Sequence, residues 1–298
     1  MNTFFDSVKE RNIDIIENEP LKNHTTFRIG GNARYFISPA CAEEIIFILD
    51  EAEKYGIKTF VIGNGSNLLI NDSGFDGAVI YIGEKMSKIE LCTDGTVKAQ
   101  SGALLVRVCR FALENSLSKM ERLYGIPGSV GGCLFMNAGA YGSEMKDVVI
   151  SAEYIDSDKK IRSVSAEDMA LSYRHSMFSD ENFIITSVTF RLEKADRDLI
   201  KSEMDLYMNK RKEKQPLEYP SAGSVFKRPE GYFAAALIEE CSLKGRRVGD
   251  AAVSEKHSGF IINLGYATQK DVLSLIEICR DTVFEKTGVK LETEIKCL

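Results

Sequence analysis

The sequence predicts an α+β protein of two mixed regions, divided near residue 195. Three observations carry this. Short apolar runs of strand character are interspersed with stretches of helical period along the whole chain. A charged connector over residues 193–198 follows a long apolar run and marks a change in composition. The length of 298 residues suits one large domain or two to three small ones, with ample core.

The elements follow in order. Residues 34–37 read as a strand, and Pro39 opens a helix over 42–55, with Ala42, Ile45, Ile46, Leu49 and Ala52 on one face and Gly56 as its stop. The strand 57–62 completes a βαβ unit short enough for a right-handed crossover. Residues 78–82 form another strand. A helix over 104–117 turns Leu105, Val108, Ala112 and Leu113 inward. Residues 152–155 and 161–164, joined by a charged turn, read as a hairpin. Residues 183–192 form a long strand. Beyond the connector come a basic helix over 199–214 ended by Pro216, helices over 232–241 and 271–287, a strand over 259–263 and a closing strand over 289–295.

Composition excludes several classes. A net charge of −6 argues against nucleic acid as the main partner. There is no basic-then-apolar leader and no apolar stretch long enough to cross a bilayer, so a cytoplasmic protein is expected. The seven cysteines have no C-x-x-C pair and the three histidines are scattered. That predicts neither a disulfide framework nor a metal site. Most cysteines are expected to be small core residues.

Two glycine-rich stretches carry the chemistry. VIGNGSNLLI, residues 61–70, places Gly63 and Gly65 at the mouth of a strand, where they free the backbone to turn and present N–H groups to an anion. GIPGSVGGCLFMNAGAYG, residues 125–142, holds six glycines in eighteen residues. Such density weakens a helix or strand interior and asks for a reason: close approach of a ligand, or tight packing between layers. One stretch alone reads as a polar turn. Two together favour an extended ligand with a pyrophosphate. The common nucleotide signatures are missing: Leu68 breaks G-x-G-x-x-G, and no G-x-x-x-x-G-K-[ST] occurs. The first stretch runs into turn and strand, so the backbone has to do the cradling, with Ser66, Asn67 and Ser129 adding side-chain hydrogen bonds.

The ordered set IGNGSNLL, GIPGSVGG, NAGAYG, SYRHSMF, PSAGSVFKRP and VSEKHSGFIINLG resembles the UDP-N-acetylenolpyruvoylglucosamine reductase family, over residues 25–294. The chain looks like the shorter variety, which lacks a tyrosine-bearing loop. The resemblance implies a two-part FAD-binding domain of the vanillyl-alcohol-oxidase (PCMH-like) type over 1–195, with subdomains 1–75 and 76–195. An α+β substrate-binding domain over 196–298 follows. It also implies non-covalent FAD, NADPH as reductant, a UDP-sugar substrate, a role in peptidoglycan precursor synthesis and a monomer.

Carried over by position, the flavin-binding residues are Gly63, Asn64, Gly65, Ser66, Asn67 and Leu68 of the first stretch, and Gly125, Pro127, Gly128, Ser129 and Gly132 of the second. Asn137, Gly139 and Tyr141 continue along the cofactor, and TTFRIGG, residues 25–31, also matches a segment near the flavin. Arg174 holds and polarises the substrate carboxylate, which suits its planar, permanently charged fork. Glu294 assists, and Ser224 delivers the proton. Tyr173, Lys214, Lys227 and Arg228 are candidates for the UDP diphosphate and sugar; without the resemblance Lys214 reads equally as part of a solvated helix face. His257 either approaches the cofactor or packs within its own loop. Lys296 stands where the family commonly has Arg, and Cys133 where alanine is frequent.

Overall fold

The computed structural model describes residues 3–181 and 183–298. The chain forms two compact units: residues 1–17, 34–64 and 76–210 make the first, and residues 18–33, 65–75 and 211–298 make the second. The division expected near 195 therefore falls inside the first unit. The helix Arg197–Lys214 buries Ile200 and Met204 in the same core as Val97 and Val188, so packing holds it there despite the charged connector before it. Residues 1–75 contribute to both units.

In the first unit, one sheet has the strand order Asp14–Pro20, Asn32–Ser38, Phe75–Tyr81, Thr59–Ile62. The strands of the expected βαβ unit are thus separated by Phe75–Tyr81, which pairs in parallel with Thr59–Ile62. The crossover helix Ala42–Lys54 buries Ile45, Ile48 and Ala52. It starts three residues after Pro39, with Cys41 at its N-cap. Two elements here escape a periodicity reading: the helix Phe4–Glu10, closed by a Thr3–Asp6 capping box, and the strand Asp14–Pro20, which has no fully buried residue.

The second sheet of this unit is antiparallel, in the order Ile161–Ser165, Val149–Ile155, Ile184–Phe190, Val97–Gln100, Ile89–Leu91. The hairpin pairs Ile155 with Ile161 as expected. Helix Leu105–Glu114 contributes Leu105, Val108, Cys109 and Ala112 to the core that this sheet shares. Leu113 is only partly buried, and Leu117 leaves the helix to pair, in the strand Leu117–Ser118, with Glu193–Lys194.

The second unit has an antiparallel sheet ordered Ser221–Ser224, Phe260–Asn263, Ala251–Val253, Arg247–Val248. Helices Ala234–Glu240 and Gln269–Thr287 share its core, through Leu237, Ile238, Val272, Leu275 and Cys279. The strand expected over 289–295 does not form as one ladder. Residues 292–294 bond to residues 225–227, and Lys296–Cys297 then pairs in parallel with Leu68–Leu69. The tail changes partner midway, so no single ladder spans it. Its alternation survives: Leu291 and Ile295 are buried, Glu292 and Lys296 exposed.

Candidate active site

The two glycine stretches meet in the first unit. The Asn64 side chain donates from Nδ2 to the Pro127 carbonyl. A β-carbon on Gly63 would lie 2.2 Å from Ser129 Oγ. Ser129 also caps a helix that glycine content argued against, Val130–Phe135, by accepting from Gly132 N–H at 3.3 Å. Helix formation there depends on tertiary support: Val130 N–H donates to Ala103 O at 2.7 Å and Gly131 N–H to Ser101 O at 2.8 Å. Packing explains glycine at 131 and 139, where a β-carbon would lie 2.8 Å from Ser101 Cβ and 2.5 Å from Ser143 O. Among the described residues of this unit, no acceptor stands on the N–H groups of Gly128 or Ser129.

The remainder of the first stretch belongs to the second unit. Gly65 is left-handed at φ 58° and so close to the chain that a β-carbon would lie 2.1 Å from His24 O. Among the described residues of this unit, no acceptor stands on the N–H groups of Gly65, Ser66 or Asn67. Asn67 donates from Nδ2 to Glu294 O at 3.2 Å, and its own carbonyl accepts from Lys296 N–H at 2.9 Å. Leu68 begins the short strand that pairs with the tail.

Among the described residues, the buried side-chain atoms without a hydrogen-bond partner are Gln215 Oε1 and two hydroxyls, Thr25 Oγ1 and Ser101 Oγ, in residues 7% and 2% exposed. A buried hydroxyl without a partner is costly, and a water or a ligand atom that meets it removes the cost. Thr25 Cα lies 2.9 Å from where a Gly65 β-carbon would be, and Ser101 Cβ stands against Gly131. One orphan hydroxyl thus sits beside each glycine stretch. In each unit taken by itself, the hydroxyl and the bare N–H groups suit a ligand oxygen that accepts, such as a phosphate oxygen. The Thr25 signal lay in TTFRIGG; nothing in the sequence distinguished Ser101.

Asn137 is fully buried, at φ 40°, and its side chain is committed to protein partners. Nδ2 donates to Glu144 Oε2 at 3.0 Å and Ser172 O at 2.9 Å, and Oδ1 accepts from Lys146 N–H at 2.9 Å. It braces the turn that carries Arg174. Ser172 and His175 exchange main-chain bonds of 3.1 Å across Tyr173 and Arg174, and Ser176 Oγ donates to Phe135 O at 2.7 Å. Arg174 is left-handed at φ 56°, a conformation a non-glycine residue keeps only when its surroundings enforce it. Its guanidinium lies over the Tyr173 ring at 4.9 Å. Tyr141, also left-handed, lies against Tyr207 with ring centroids 4.9 Å apart.

In the second unit, Ser224 ends the strand Ser221–Ser224 beyond an irregularity at Gly223, which is left-handed at φ 76°. The kink re-aims the serine, as a bulge does. Glu294 N–H donates to Val225 O at 2.7 Å, so Ser224 and Glu294 lie on adjacent, hydrogen-bonded segments. Lys227 pairs with Glu292 at 3.5 Å, Arg228 lies 4.1 Å over the Phe233 ring, and Lys214 is exposed at a helix end. His257 packs edge-on against Phe260 at 4.9 Å, and burial pushes its pKa below the usual histidine value. Arg174 belongs to the first unit, Ser224 and Glu294 to the second. Cys109, Cys133, Cys241 and Cys279 are buried; Cys41 and Cys92 are half-buried and Cys297 is exposed. Among the described residues, no helix is long and apolar enough to cross a membrane.

Two family models match the chain: an FAD binding domain over residues 33–165, and the C-terminal domain of UDP-N-acetylenolpyruvoylglucosamine reductase over residues 215–298. The Clostridium novyi protein named UDP-N-acetylenolpyruvoylglucosamine reductase is 48% identical over 283 residues, 95% of this chain and 92% of that protein. The Agathobacter rectalis protein of the same name is also 48% identical, covering 99% and 98%. The crystal structure of the Thermus caldophilus reductase of this name superposes with a TM-score of 0.81 at 34% identity, covering 96% of this chain and 98% of that one.

Proposed function

The chain belongs to the UDP-N-acetylenolpyruvoylglucosamine reductase family, and from that premise we propose that it reduces the enolpyruvyl group of UDP-N-acetylglucosamine-enolpyruvate to UDP-N-acetylmuramate for peptidoglycan precursors. It is an FAD-dependent oxidoreductase, with FAD held non-covalently and NADPH as the reductant. One observation carries the reading furthest: the Glu294 peptide is held on one side by Val225, next to Ser224, and on the other by Asn67 of the glycine stretch. The candidate acid, its helper and the anion cradle share one hydrogen-bonded framework.

When bound, the flavin supplies hydride to one vinyl carbon of the substrate. The chain's residues manage the charge that results. Negative charge develops on the neighbouring carbon and spreads into the carboxylate, where Arg174 stabilises it by its charge and Glu294 by donating a hydrogen bond through a carboxyl proton. Ser224 Oγ–H gives its proton to that carbon, completing addition of hydride and proton across the double bond. Residues 63–68, with Gly125, Pro127, Gly128, Ser129 and Gly132, line the cofactor. Gly139 and Tyr141 extend that lining, and Asn137 supports it through the turn it braces. Tyr173, Lys214, Lys227 and Arg228 meet the diphosphate and sugar. Lys296 keeps the charge of the family's usual Arg without its fork. The region beyond residue 196 serves the substrate, and the enzyme works as a cytoplasmic monomer.

The test is anaerobic stopped-flow spectroscopy. Protein purified with flavin is reduced by NADPH, then mixed with the enolpyruvyl sugar nucleotide. Prompt return of oxidised-flavin absorbance is expected. Flavin that stays reduced sinks the assignment.

A further inference from the structure

His257 sits at the head of a chain of main-chain hydrogen bonds in the second unit. Gly259 N–H donates to His257 Nδ1 at 3.2 Å. The carbonyl of the same Gly259 accepts from Val225 N–H at 2.9 Å, and the carbonyl of Val225 accepts from Glu294 N–H at 2.7 Å. The imidazole is itself anchored. Ser254 Oγ accepts from the main-chain N–H groups of Lys256 and His257, Phe260 N–H donates to His257 O at 2.9 Å, and the ring lies edge-on to Phe260. A peptide N–H can only donate, so Nδ1 is the accepting nitrogen and the ring proton resides on Nε2. A β-carbon on Gly259 would come within 3.1 Å of His257 Cε1, so glycine there is what lets ring and peptide approach.

We propose that His257 is a positioning residue: by holding the Gly259 peptide it fixes Val225 and Glu294 through two further main-chain bonds, and with them Ser224. That this matters to turnover rests on the reductase reading above; the placement itself does not. The N–H and the carbonyl of Gly259 belong to the two peptide groups that flank its Cα, so the link is mechanical: a Gly259 held in place holds Val225, and Val225 holds Glu294. Protonation of Nδ1 removes the acceptor and loosens the series. The charged groups facing the ring are Lys244 and Lys214, which disfavour that protonation, and Glu239, which favours it and is paired with Lys244 at 2.6 Å. Burial acts in the same direction as the two lysines and is the largest influence. His257 therefore stays neutral at physiological pH, and the series is intact there.

The test reads amide hydrogen exchange in the flavin-loaded protein. In His257→Phe, which keeps a ring against Phe260 but removes the acceptor, protection of the Val225 and Glu294 amides should fall about tenfold or more, while helix Ala234–Glu240 is unaffected. His257→Gln offers an amide oxygen to Gly259 and should restore protection. If His257→Phe does not fold, protection factors of the unsubstituted protein are followed from neutral pH to below the histidine titration. They should fall at these two amides, and in His257→Gln they should not. Unchanged protection in His257→Phe, loss that His257→Gln does not reverse, or protection independent of pH overturns the proposal. Flavin reoxidation by the enolpyruvyl nucleotide is measured alongside. If exchange rises while reoxidation is untouched, His257 holds these two peptides but its bearing on turnover is overturned, and the assignment of Ser224 and Glu294 is judged by their own variants.

Discussion

A β-carbon placed on Gly63 would stand 2.2 Å from the hydroxyl oxygen of Ser129, on the second glycine stretch. The two stretches interlock at that contact, and the Asn64 side chain reinforces it on Pro127. Gly63→Ala displaces the Ser129 hydroxyl at a cost of ~1 kcal/mol, the low end of overpacking, because that oxygen is the rotatable end of a short side chain. Flavin affinity should fall several-fold, since about 1.4 kcal/mol is one decade in binding. Titration of the apoprotein with FAD by fluorescence quenching reads this directly. Gly63→Ala/Ser129→Ala should recover part of the loss; equal weakening in both variants would contradict the contact's role.

Ser224→Ala should leave reduction of the flavin by NADPH near its normal rate. Reoxidation by the enolpyruvyl nucleotide should slow by about 10²–10⁴-fold, the range for loss of a general acid. Gly223→Ala should also slow reoxidation, because alanine strains the left-handed turn that aims the serine. Single-turnover measurements separate the two half-reactions, and a defect confined to the NADPH step would refute the role.

Asn137→Ala leaves the N–H of Lys146 without its acceptor and takes one bond each from Glu144 Oε2, which keeps Lys146 Nζ at 2.9 Å, and from the Ser172 carbonyl, which keeps the His175 N–H. Loss of about 1–3 kcal/mol of stability is expected in urea unfolding. Turnover should also fall, because Ser172 closes the turn bearing Arg174. Full activity with lowered stability would mean that this turn needs no brace.

Lys98 at 2.8 Å and the Ser187 hydroxyl at 2.6 Å hold the Glu153 carboxyl below its ordinary pKa. A carboxylate with a depressed folded-state pKa stabilises above the unfolded value. That stabilisation is lost as pH falls through the folded value. Glu153→Gln should therefore cost stability at neutral pH and little in strong acid. Denaturant midpoints across the acid range test it; parallel curves for the two proteins would exclude the linkage.

The strongly periodic elements were legible without coordinates: helix Gln269–Thr287, the hairpin around 156–160 and strand Ile184–Phe190 each carry their own hydrophobic pattern. Helix Val130–Phe135 was not, because its glycines argue against it and its support comes from Ala103 and Ser101, about thirty residues earlier. The tail alternates like a strand yet forms no single ladder, because alternation records which side chains are buried and not which segments supply the partners.

The residue types and their order determined, without coordinates, the mixed α+β composition, two glycine-rich stretches fit for phosphate and a family set of motifs running from residue 25 to residue 294. Only the tertiary structure decided that the units interleave along the chain, that Gly63 abuts Ser129, that Asn137 serves the turn of Arg174, and that Glu294 is hung between Val225 and Asn67. The reason is physical. Local pattern encodes burial and backbone permissiveness within one turn or one strand. The partners of a buried hydrogen bond are chosen by close packing between segments far apart in sequence.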